Sequence, residues 1–273
     1  MHVIHPQGMY NGLPPEDVFI VMDDMGNQLG LGYIVYTIQA HIYPDCPVNL
    51  YFSMECQPTG RYMLFGALMA RARQLRDFNP DMPARVYTNI APGDTMMKDF
   101  YQHNGFSLAD AEHQLVLYRP ERASRAPMGS SFRQPSLNTQ QEQDMLVERM
   151  RQNDLTYITR DALAEMMRMP HFMAIGLCQN DSVVGEILLS GQGDACEISA
   201  IYVAPEHRGR GMGTALVHRA MDVMAAAGVT HITTRVMSRS IPQCRLMEKF
   251  NATVQGIYTI YPSMPLQRED DRA

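Results

Sequence analysis

One stretch of the sequence, residues 197–216, constrains the fold more than any other. It reads Glu-Ile-Ser-Ala-Ile-Tyr-Val-Ala-Pro-Glu-His-Arg-Gly-Arg-Gly-Met-Gly-Thr-Ala-Leu, which predicts a strand over residues 196–203, a glycine-rich turn and then a helix. Pro205 lacks an amide hydrogen and so ends the pairing of the strand. Gly228 is a stop signal for the helix. The apolar residues of the helix recur at the spacing of one helical face: Leu216, Ala220, Val223, Met224 and Ala227.

Side chains alternate between the two faces of a strand, and this rule predicts which residues of the strand lie together. One predicted face carries Glu197, Ser199, Ile201 and Val203, and the other carries Ile198, Ala200 and Tyr202. Glu197 is thereby expected on the same face as the residues that lead into the glycine-rich turn.

The glycine-rich turn itself suits an anion. A turn of this kind at a helix N-terminus presents free amide hydrogens and the positive end of the helix dipole. Gly211 and Gly213 let the main chain approach a phosphate without a Cβ atom in the way, and Arg208 and Arg210 add positive charge. The alternative is a tight turn with solvated arginines. The strand before the turn and the helix after it favour a phosphate or pyrophosphate site.

The motif Arg208-x-x-Gly211-x-Gly213, preceded by Tyr202-Val203-x-Pro205, resembles the acyl-CoA pyrophosphate loop of the GNAT acetyltransferase superfamily. It has neither the G-x-G-x-x-G pattern of dinucleotide-binding folds nor the Gly-Lys-Ser/Thr ending of a Walker loop. With its flanking elements, the resemblance covers roughly residues 138–262. The resemblance implies that acetyl-CoA is the acyl donor and that no metal is needed. It also implies that the residues in contact with acetyl-CoA are Ile201, Val203, Arg208, Gly209, Arg210, Gly211, Met212, Gly213 and Thr214.

Acyl transfer to an amine needs a base for the amine and a hydrogen-bond donor for the thioester oxygen. The resemblance assigns the donor to the main-chain amide near Val203. Glu197 stands six residues earlier, at the spacing at which the histone-acetylating branch of the superfamily carries its glutamate. Glu197 is therefore the first candidate base, and Glu186 on the neighbouring predicted strand is the second. For each, the alternative is a solvated carboxylate on a strand.

The proton donor for the leaving thiolate is left open by the sequence. The superfamily usually places a tyrosine in this role, and the matching position here is Met247. Cys244, Tyr258 and Tyr261 are nearby candidates, and bulk water is a sufficient donor for a good thiolate leaving group.

An internal repeat organises the whole chain. Both halves show one order of predicted elements, and Gln57-x-x-Gly60-x-Tyr62 aligns with the second-half loop, which indicates a repeat of about 130 residues. The predicted fold is α+β: two tandem GNAT-like lobes, each a mixed, mostly antiparallel sheet flanked by helices. This resembles the two-lobe architecture of mycothiol synthase. The predicted segments are a degenerate lobe 1–120, a linker 121–137, a catalytic acyl-CoA-binding lobe 138–266 and a tail 267–273.

The first lobe departs from the superfamily pattern at its loop. Tyr62 stands where the last loop glycine belongs, and Gln57 replaces the loop arginine, although Tyr101 keeps the helix tyrosine of the superfamily. A tyrosine side chain is expected to crowd a pyrophosphate. The first lobe is therefore predicted to be a scaffold or half of an acceptor pocket.

Composition narrows the classes of protein. A chain of 273 residues with 45% hydrophobic and 19% charged residues is typical of a folded globular protein. No apolar run reaches the length of about 18 residues that a membrane span needs, and the first residues do not resemble a signal peptide. Five cysteines without CxxC spacing indicate reduced thiols, no zinc site and a cytoplasmic location. The net charge of −6 gives no case for nucleic acid and permits an amine substrate.

Three functions are compatible with these observations. The first is an N-acetyltransferase, monomer or homodimer, that moves an acetyl group from acetyl-CoA to a primary amine of a small molecule or peptide by direct attack in a ternary complex. The second is a non-catalytic acyl-CoA-binding regulator, which Met247 favours. The third is a nucleotide- or phosphate-binding protein, disfavoured because no metal-holding Ser/Thr or Asp pattern accompanies the loop. The sequence does not identify the acceptor.

Overall fold

The computed structural model describes residues 1–40 and 43–267, so the predicted tail lies outside the described residues from residue 268 onward. In chain order the strands are β1 His2–Ile4, β2 Val18–Met22, β3 Gln28–Ile38, β4 Val48–Cys56, β5 Ala84–Tyr87, β6 Ala111–Leu117, β7 Ser130–Arg133, β8 Met173–Gln179, β9 Ser182–Gln192, β10 Ala195–Val203, β11 His231–Met237, β12 Thr253–Ile260 and β13 Ser263–Leu266. The helices are α1 Arg61–Arg76, α2 Thr95–His103, α3 Gln140–Gln152, α4 Arg160–Met167, α5 Met212–Ala226 and α6 Ile241–Glu248. Across the described residues, none of the helices has the length and apolarity that a bilayer crossing requires.

The chain divides into two compact units, and neither is continuous in sequence. The first comprises Met1–Glu112, Met237–Ile241 and the described residues from Ile257 onward. The second comprises His113–Val236 and Pro242–Gly256. This division differs from the predicted lobes 1–120 and 138–266. Strand pairing is the reason, because β13 completes the sheet of β1–β5 whereas β6 lies in the sheet of β7–β12.

The first unit is built on a six-stranded sheet in the order β1-β2-β3-β4-β5-β13. Its one parallel pair, β4 with β5, runs from Val48 opposite Ala84 to Tyr51 opposite Tyr87. α1 covers one face of the sheet with apolar residues at helical spacing, as the sequence predicts, including Leu64, Leu68, Ala72 and Leu75. The first unit therefore has its own hydrophobic core between α1 and the sheet.

The C-terminal strand β13 holds this first sheet together at its edge. It pairs antiparallel with β5, from Ser263 opposite Tyr87 to Leu266 opposite Ala84. The Ser263 hydroxyl donates to Asp110 Oδ2 over 3.2 Å. Leu266 is buried in the core of the unit. Strand β5 is therefore an interior strand only because the end of the chain returns to it.

Deleting residues 263–273 is expected to lower the free energy of unfolding of the first unit by about 4 kcal/mol. The estimate of about 4 kcal/mol combines one buried leucine with several ladder hydrogen bonds. Urea unfolding and hydrogen exchange at the β5 amides measure the effect, with deletion of residues 268–273 alone as the matched control. If the lobes were continuous in sequence, the longer deletion would leave the β5 amides as protected as in the full chain.

The second unit is built on a seven-stranded sheet in the order β12-β6-β11-β10-β9-β8-β7. Strands β7 to β10 pair antiparallel with their neighbours, and β10 pairs parallel with β11. α5 packs on one face of this sheet over Ile187 and Leu189. α3 and α4 pack on the other face over Leu188. Two layers of helices thus enclose the central strands, and the predicted α+β fold is confirmed.

Residues 121–152 contain the predicted linker and the predicted capping box of α3. The predicted capping box is confirmed: the Glu142 amide donates to Thr139 Oγ1 over 3.3 Å, and the Thr139 amide donates to Glu142 Oε2 over 2.9 Å. The predicted linker, in contrast, contains β7, which pairs with β8 at the edge of the sheet. A strand of four mostly polar residues shows too little alternation to stand out in the sequence.

A β-bulge interrupts β10 at Ser199. In the register with β9, Ile198 lies opposite Leu189 and Ala200 lies opposite Leu188, so Ser199 is an extra residue on β10. An extra residue bends the strand and shifts the alternation of every side chain beyond it.

The predicted faces of β10 are therefore wrong in part. Pairing with β9 places Glu197, Ala200 and Tyr202 on the face of α3 and α4, and Ile198, Ile201 and Val203 on the face of α5. Glu197 consequently lies on the opposite face from Ile201 and Val203. The physical reason is the bulge, since a single inserted residue reverses the facing of all that follow.

Candidate active site

The central parallel strands of the second unit part from each other beyond the bulge. β10 and β11 pair only from Ala195 opposite His231 to Ile198 opposite Thr234, although β10 continues to Val203. The Thr234 hydroxyl donates to the Ile198 carbonyl over 3.3 Å at the last pair. Within the described residues, β10 has no ladder partner on its β11 side after Ile198. The gap leaves main-chain groups of β10 for an extended ligand, as in strand addition.

The glycine-rich loop lies at the end of this parted strand. Gly209 and Gly211 have φ angles of 73° and 79°, in the left-handed region that favours glycine. A Cβ atom built on either would meet nothing within 4 Å. Helix α5 starts at Met212 with Gly211 as its N-cap and no side-chain cap. The N-terminus of α5 thus has no side-chain cap, and the left-handed loop glycines before it are unobstructed, an arrangement that suits an anion.

Positive charge surrounds this helix N-terminus. Arg208 Nε donates to the Val203 carbonyl over 2.8 Å, which ties the loop to the end of β10. Arg210 is exposed. Lys249, directly after α6, places Nζ 3.3 Å from Thr214 Oγ1 in the first turn of α5. Lys249 could not be predicted from the sequence, because its contact joins residues that are distant along the chain.

Gly213 differs from the other two loop glycines. A Cβ atom there would make ordinary contacts, at 3.5 Å from a methyl carbon of Leu246 and 3.7 Å from one of Val203. This glycine therefore packs the start of α5 against its neighbours. The left-handed backbone conformation of the loop, which favours glycine, occurs at Gly209 and Gly211.

Glu197 is an accessible carboxylate just before the bulge. Its Oε1 accepts a hydrogen bond from Arg235 Nε over 2.6 Å, and the Glu197 and Arg235 side chains are 35% and 36% exposed. The bulge residue Ser199 is held by Tyr157, whose hydroxyl donates to the Ser199 carbonyl over 3.1 Å. The Ser199 and Ser190 hydroxyls lie 3.1 Å apart. A polar surface with one open acid group thus borders the place where the strands part.

Glu186 lies in a different environment. Its side chain is 1% exposed, and Arg149 donates to both of its carboxylate oxygens over 2.8 Å. The Tyr202 hydroxyl donates to Oε2 over 2.7 Å. Burial and the neighbouring carboxylate raise the pKa of Tyr202, which keeps this donor neutral. Three strong hydrogen bonds hold Glu186 in place, so of the two candidate bases only Glu197 is open to a substrate.

Replacing Glu186 with alanine is expected to lower the free energy of unfolding by about 3 kcal/mol, because it leaves the charge of Arg149 without its carboxylate partner. Tyr202→Phe removes a single hydrogen bond and is expected to cost about 1 kcal/mol. Urea unfolding measures both. The double variant Glu186→Ala/Arg149→Met should recover part of the loss. Equal stability of Glu186→Ala and the wild type would contradict the structural role.

The candidate proton donors for the thiolate differ in exposure. Met247 is buried in the core of the second unit. Burial raises the pKa of the Cys244 thiol, and burial together with the neighbouring Glu112 raises the pKa of Tyr261. Tyr258 is exposed on β12. The raised pKa values keep Cys244 and Tyr261 protonated at neutral pH.

The corresponding loop of the first unit has another conformation. Gly60, the N-cap of α1, has a φ angle of −94°, and a Cβ atom there would lie 3.0 Å from Cys56 Sγ. Where β4 parts from β5, the buried ring of Phe52 packs at 6.0 Å from Tyr101 and 6.1 Å from Phe106. Aromatic side chains therefore pack at the point where the parallel strands of the first unit part.

In the second unit, a parted pair of parallel strands therefore lies beside a glycine-rich helix N-terminus. Residues 139–252 match the family model described as Acetyltransferase (GNAT) family. This segment is therefore a GNAT domain, and the assignment to the GNAT superfamily is confirmed. Members of this family take their acyl group from acyl-CoA. A comparison with curated proteins finds no matching sequence.

Solved structures agree on the fold. A GCN5-related N-acetyltransferase from Sphaerobacter thermophilus is similar at 15% identity and a TM-score of 0.52, over 93% of this chain and 82% of its own. One from Anabaena variabilis is similar at 12% identity and a TM-score of 0.52, over 90% of this chain and 62% of its own. A tandem GNAT protein from the clavulanic acid biosynthesis pathway gives 14% identity and a TM-score of 0.49, over 91% and 82%. The first two matches span both halves of the chain.

Proposed function

We propose that this protein is an N-acetyltransferase that moves an acetyl group from acetyl-CoA to a primary amine of a small molecule or peptide. The observation that carries the proposal is the pair of left-handed glycines, Gly209 and Gly211, under open space at the uncapped N-terminus of α5. The parted strands lead to this point, and the corresponding point of the first unit is filled with aromatic rings.

Donor binding would use main-chain groups more than side chains. The amides of residues 209–214 would hold the diphosphate, and Arg208, Arg210 and Lys249 would neutralise its charge. Main-chain groups of Ile201 and Val203 would bind the pantetheine arm along the parted edge of β10. Met212 is buried and fixes the start of α5, and Thr214 lies in the first turn beside Lys249. Bound acetyl-CoA supplies an activated thioester.

Glu197 would act as the base on the acceptor. The amine nitrogen forms a bond to the carbonyl carbon, its proton passes to the Glu197 carboxylate directly or through water, and the carbon–sulfur bond breaks. A main-chain N–H of β10 near Val203 would stabilise the negative charge on the carbonyl oxygen. The thiolate then takes a proton from water or a nearby acid. Arg235, hydrogen-bonded to Glu197, would hold the carboxylate in position.

The cysteines, the net charge and the possible metal ligands bear on the cellular compartment, the acceptor and the cofactor. All five cysteines are free, which supports a reducing compartment, the cytoplasm. The net charge of −6 permits an amine as acceptor and does not favour nucleic acid. None of the His, Cys, Asp and Glu side chains in residues 1–40 and 43–267 forms a cluster suited to a metal ion.

A second candidate is a regulator that binds acyl-CoA without turnover. Met247, in the position where the superfamily usually has a tyrosine, is buried among apolar side chains and offers no proton. Calorimetry with acetyl-CoA and with ATP, followed by thiol release with a panel of amines, separates the candidates. The proposal predicts binding of acetyl-CoA, no binding of ATP, and thiol release with at least one amine. Tight binding without turnover on every amine would favour the regulator, and preference for ATP would contradict both.

A further inference from the structure

One face of the six-stranded sheet in the first unit carries a row of tyrosine side chains. Both helices of this unit, α1 and α2, pack on the other face, over Leu50 and Phe52. In the second unit, helices α3 and α4 cover the sheet face that lies opposite the helix of the glycine-rich loop. The corresponding face of the first unit instead presents four aromatic rings, which we call the tyrosine row: Tyr33, Tyr51, Tyr87 and Tyr261.

Strand register brings the four rings of the tyrosine row together. Tyr51 on β4 lies directly opposite Tyr87 on β5. Tyr33 and Tyr261 lie diagonally next to this pair, since their neighbours in register are Ser53 and Tyr87. The ring centroids of Tyr33 and Tyr51 are 6.4 Å apart, and those of Tyr51 and Tyr87 are 5.4 Å apart. All four residues are partly exposed, so the row is a continuous aromatic surface that a small ligand can contact.

The rings of the tyrosine row are suited to a cation, because a positive charge is attracted to the negative face of an aromatic ring. The row already holds one guanidinium group of the chain: Arg85 Cζ lies 4.7 Å from the ring centroid of Tyr87. Asp110 balances this charge, since its Oδ2 accepts from Arg85 Nη1 over 2.7 Å. Burial raises the pKa of Tyr51 and raises that of Tyr87 to about 12, so both rings are neutral phenols at neutral pH.

Negative charge lies near both ends of the tyrosine row. Glu55 is exposed and lies opposite Leu31, which places it on the same face as Tyr33. Diagonal neighbours of this kind are about 7–8 Å apart. At the other end, burial and the negative charge of Glu112 raise the pKa of Tyr261. Carboxylates and aromatic faces together favour a positively charged ligand over a phosphate or a carboxylate.

We propose that the tyrosine row binds an organic ammonium ion, with the charged nitrogen over the rings of Tyr33 and Tyr51 and near the carboxylate of Glu55. Arg85 lies at the Tyr87 end of the row, so the positions open to a ligand are at Tyr33 and Tyr51. Quaternary ammonium groups are recognised by aromatic side chains in this way. The site lies within the first unit and adds a ligand beyond the acyl donor and the acceptor of the proposed function.

Choline tests the site independently of acyl transfer, because its quaternary nitrogen cannot be acylated and no acyl-CoA is added. The measurement is an NMR titration of the full chain with isotope-labelled tyrosine rings. Choline is expected to shift the ring signals of Tyr33 and Tyr51 with a Kd on the order of 1 mM. The neutral alcohol 3,3-dimethyl-1-butanol has the same shape as choline without its charge, and its binding is expected to be about 10-fold weaker.

Four variants assign the binding to the rings. Tyr33→Leu and Tyr51→Leu each remove one ring and are expected to weaken choline binding about 10-fold. Tyr51→Phe keeps the ring and loses only the hydroxyl, which donates to Asn89 Oδ1 over 2.6 Å, so it is expected to bind choline as the wild type does. The control is Tyr62→Leu on α1, where an exposed tyrosine also packs against an aromatic ring, that of Phe100, at 5.2 Å. It is expected to leave choline binding unchanged.

Three outcomes would overturn the proposal. One is the absence of any shift of the tyrosine ring signals at about 100 mM choline, far above the expected Kd. Another is equal affinity for choline and the neutral alcohol, because apolar contact and not charge would then account for binding. The third is wild-type affinity for choline in both leucine variants. The comparison of the two ligands uses the wild-type chain, so it decides the matter even where a variant fails to fold.

Discussion

Replacing Glu197 with glutamine is expected to lower kcat/KM for acyl transfer by about 10²–10⁴-fold, the usual contribution of a positioned base. Glutamine has nearly the same shape, and its side-chain oxygen still accepts from Arg235 Nε, so the geometry of the site is preserved. Only the capacity to take a proton is lost. The measurement is thiol release over a range of pH, and the limb that reports the base in the wild type should disappear in the variant.

A matched control for this substitution is Glu148→Gln. Glu148 also pairs with an arginine, Arg151, over 2.8 Å, but it lies exposed on α3 and borders neither the bulge nor the glycine loop. We expect wild-type kinetics for this variant. A Glu197→Gln enzyme with a normal rate and an unchanged pH profile would exclude Glu197 as the base.

Replacing Gly211 with alanine is expected to weaken acetyl-CoA binding about 100-fold, because the loss of two charged-group hydrogen bonds costs about 1.5–3 kcal/mol each and part of the contact survives. The residue has a φ angle of 79°, which an alanine resists, so the substitution is expected to shift the loop amides at the start of α5. Calorimetry with acetyl-CoA measures the loss.

Gly228 at the other end of α5 offers the matched control. It has a φ angle of 86° and open space at its Cβ position, so Gly228→Ala carries the same conformational strain. Both variants are expected to lose about 1 kcal/mol of stability. Only Gly211→Ala should lose affinity for acetyl-CoA. Equal affinity of the two variants would contradict the binding role of the loop.

The parts of the site that could be predicted from sequence are those encoded locally. Gly209, Gly211 and Gly228 mark left-handed positions, Pro205 ends a strand, and an apolar spacing marks α5, so strand, loop and helix follow from neighbouring residues. Each signal acts within a few positions of the residue that carries it. The superfamily could therefore be predicted from local chemistry, and the anion site at the loop is a prediction of the same local kind.

The features that the sequence did not reveal depend on pairing between distant residues. The bulge at Ser199 exists only in the register with β9, and a strand read alone shows unbroken alternation through it. The contacts of Arg235 with Glu197, and of Arg149 with Glu186, join different elements. The return of β13 to β5 spans most of the chain. These contacts form only when elements that are distant along the chain pack together, so no local sequence pattern predicts them.

A crystal structure with bound acetyl-CoA would show where the acyl donor lies. Diphosphate oxygens are expected at hydrogen-bond distance, about 2.7–3.2 Å, from main-chain nitrogens in the range 209–214. The pantetheine arm is expected along β10 where β11 has parted from it. Acetyl-CoA bound at the loop of the first unit, or away from both loops with the α5 N-terminus empty, would contradict the proposed donor site.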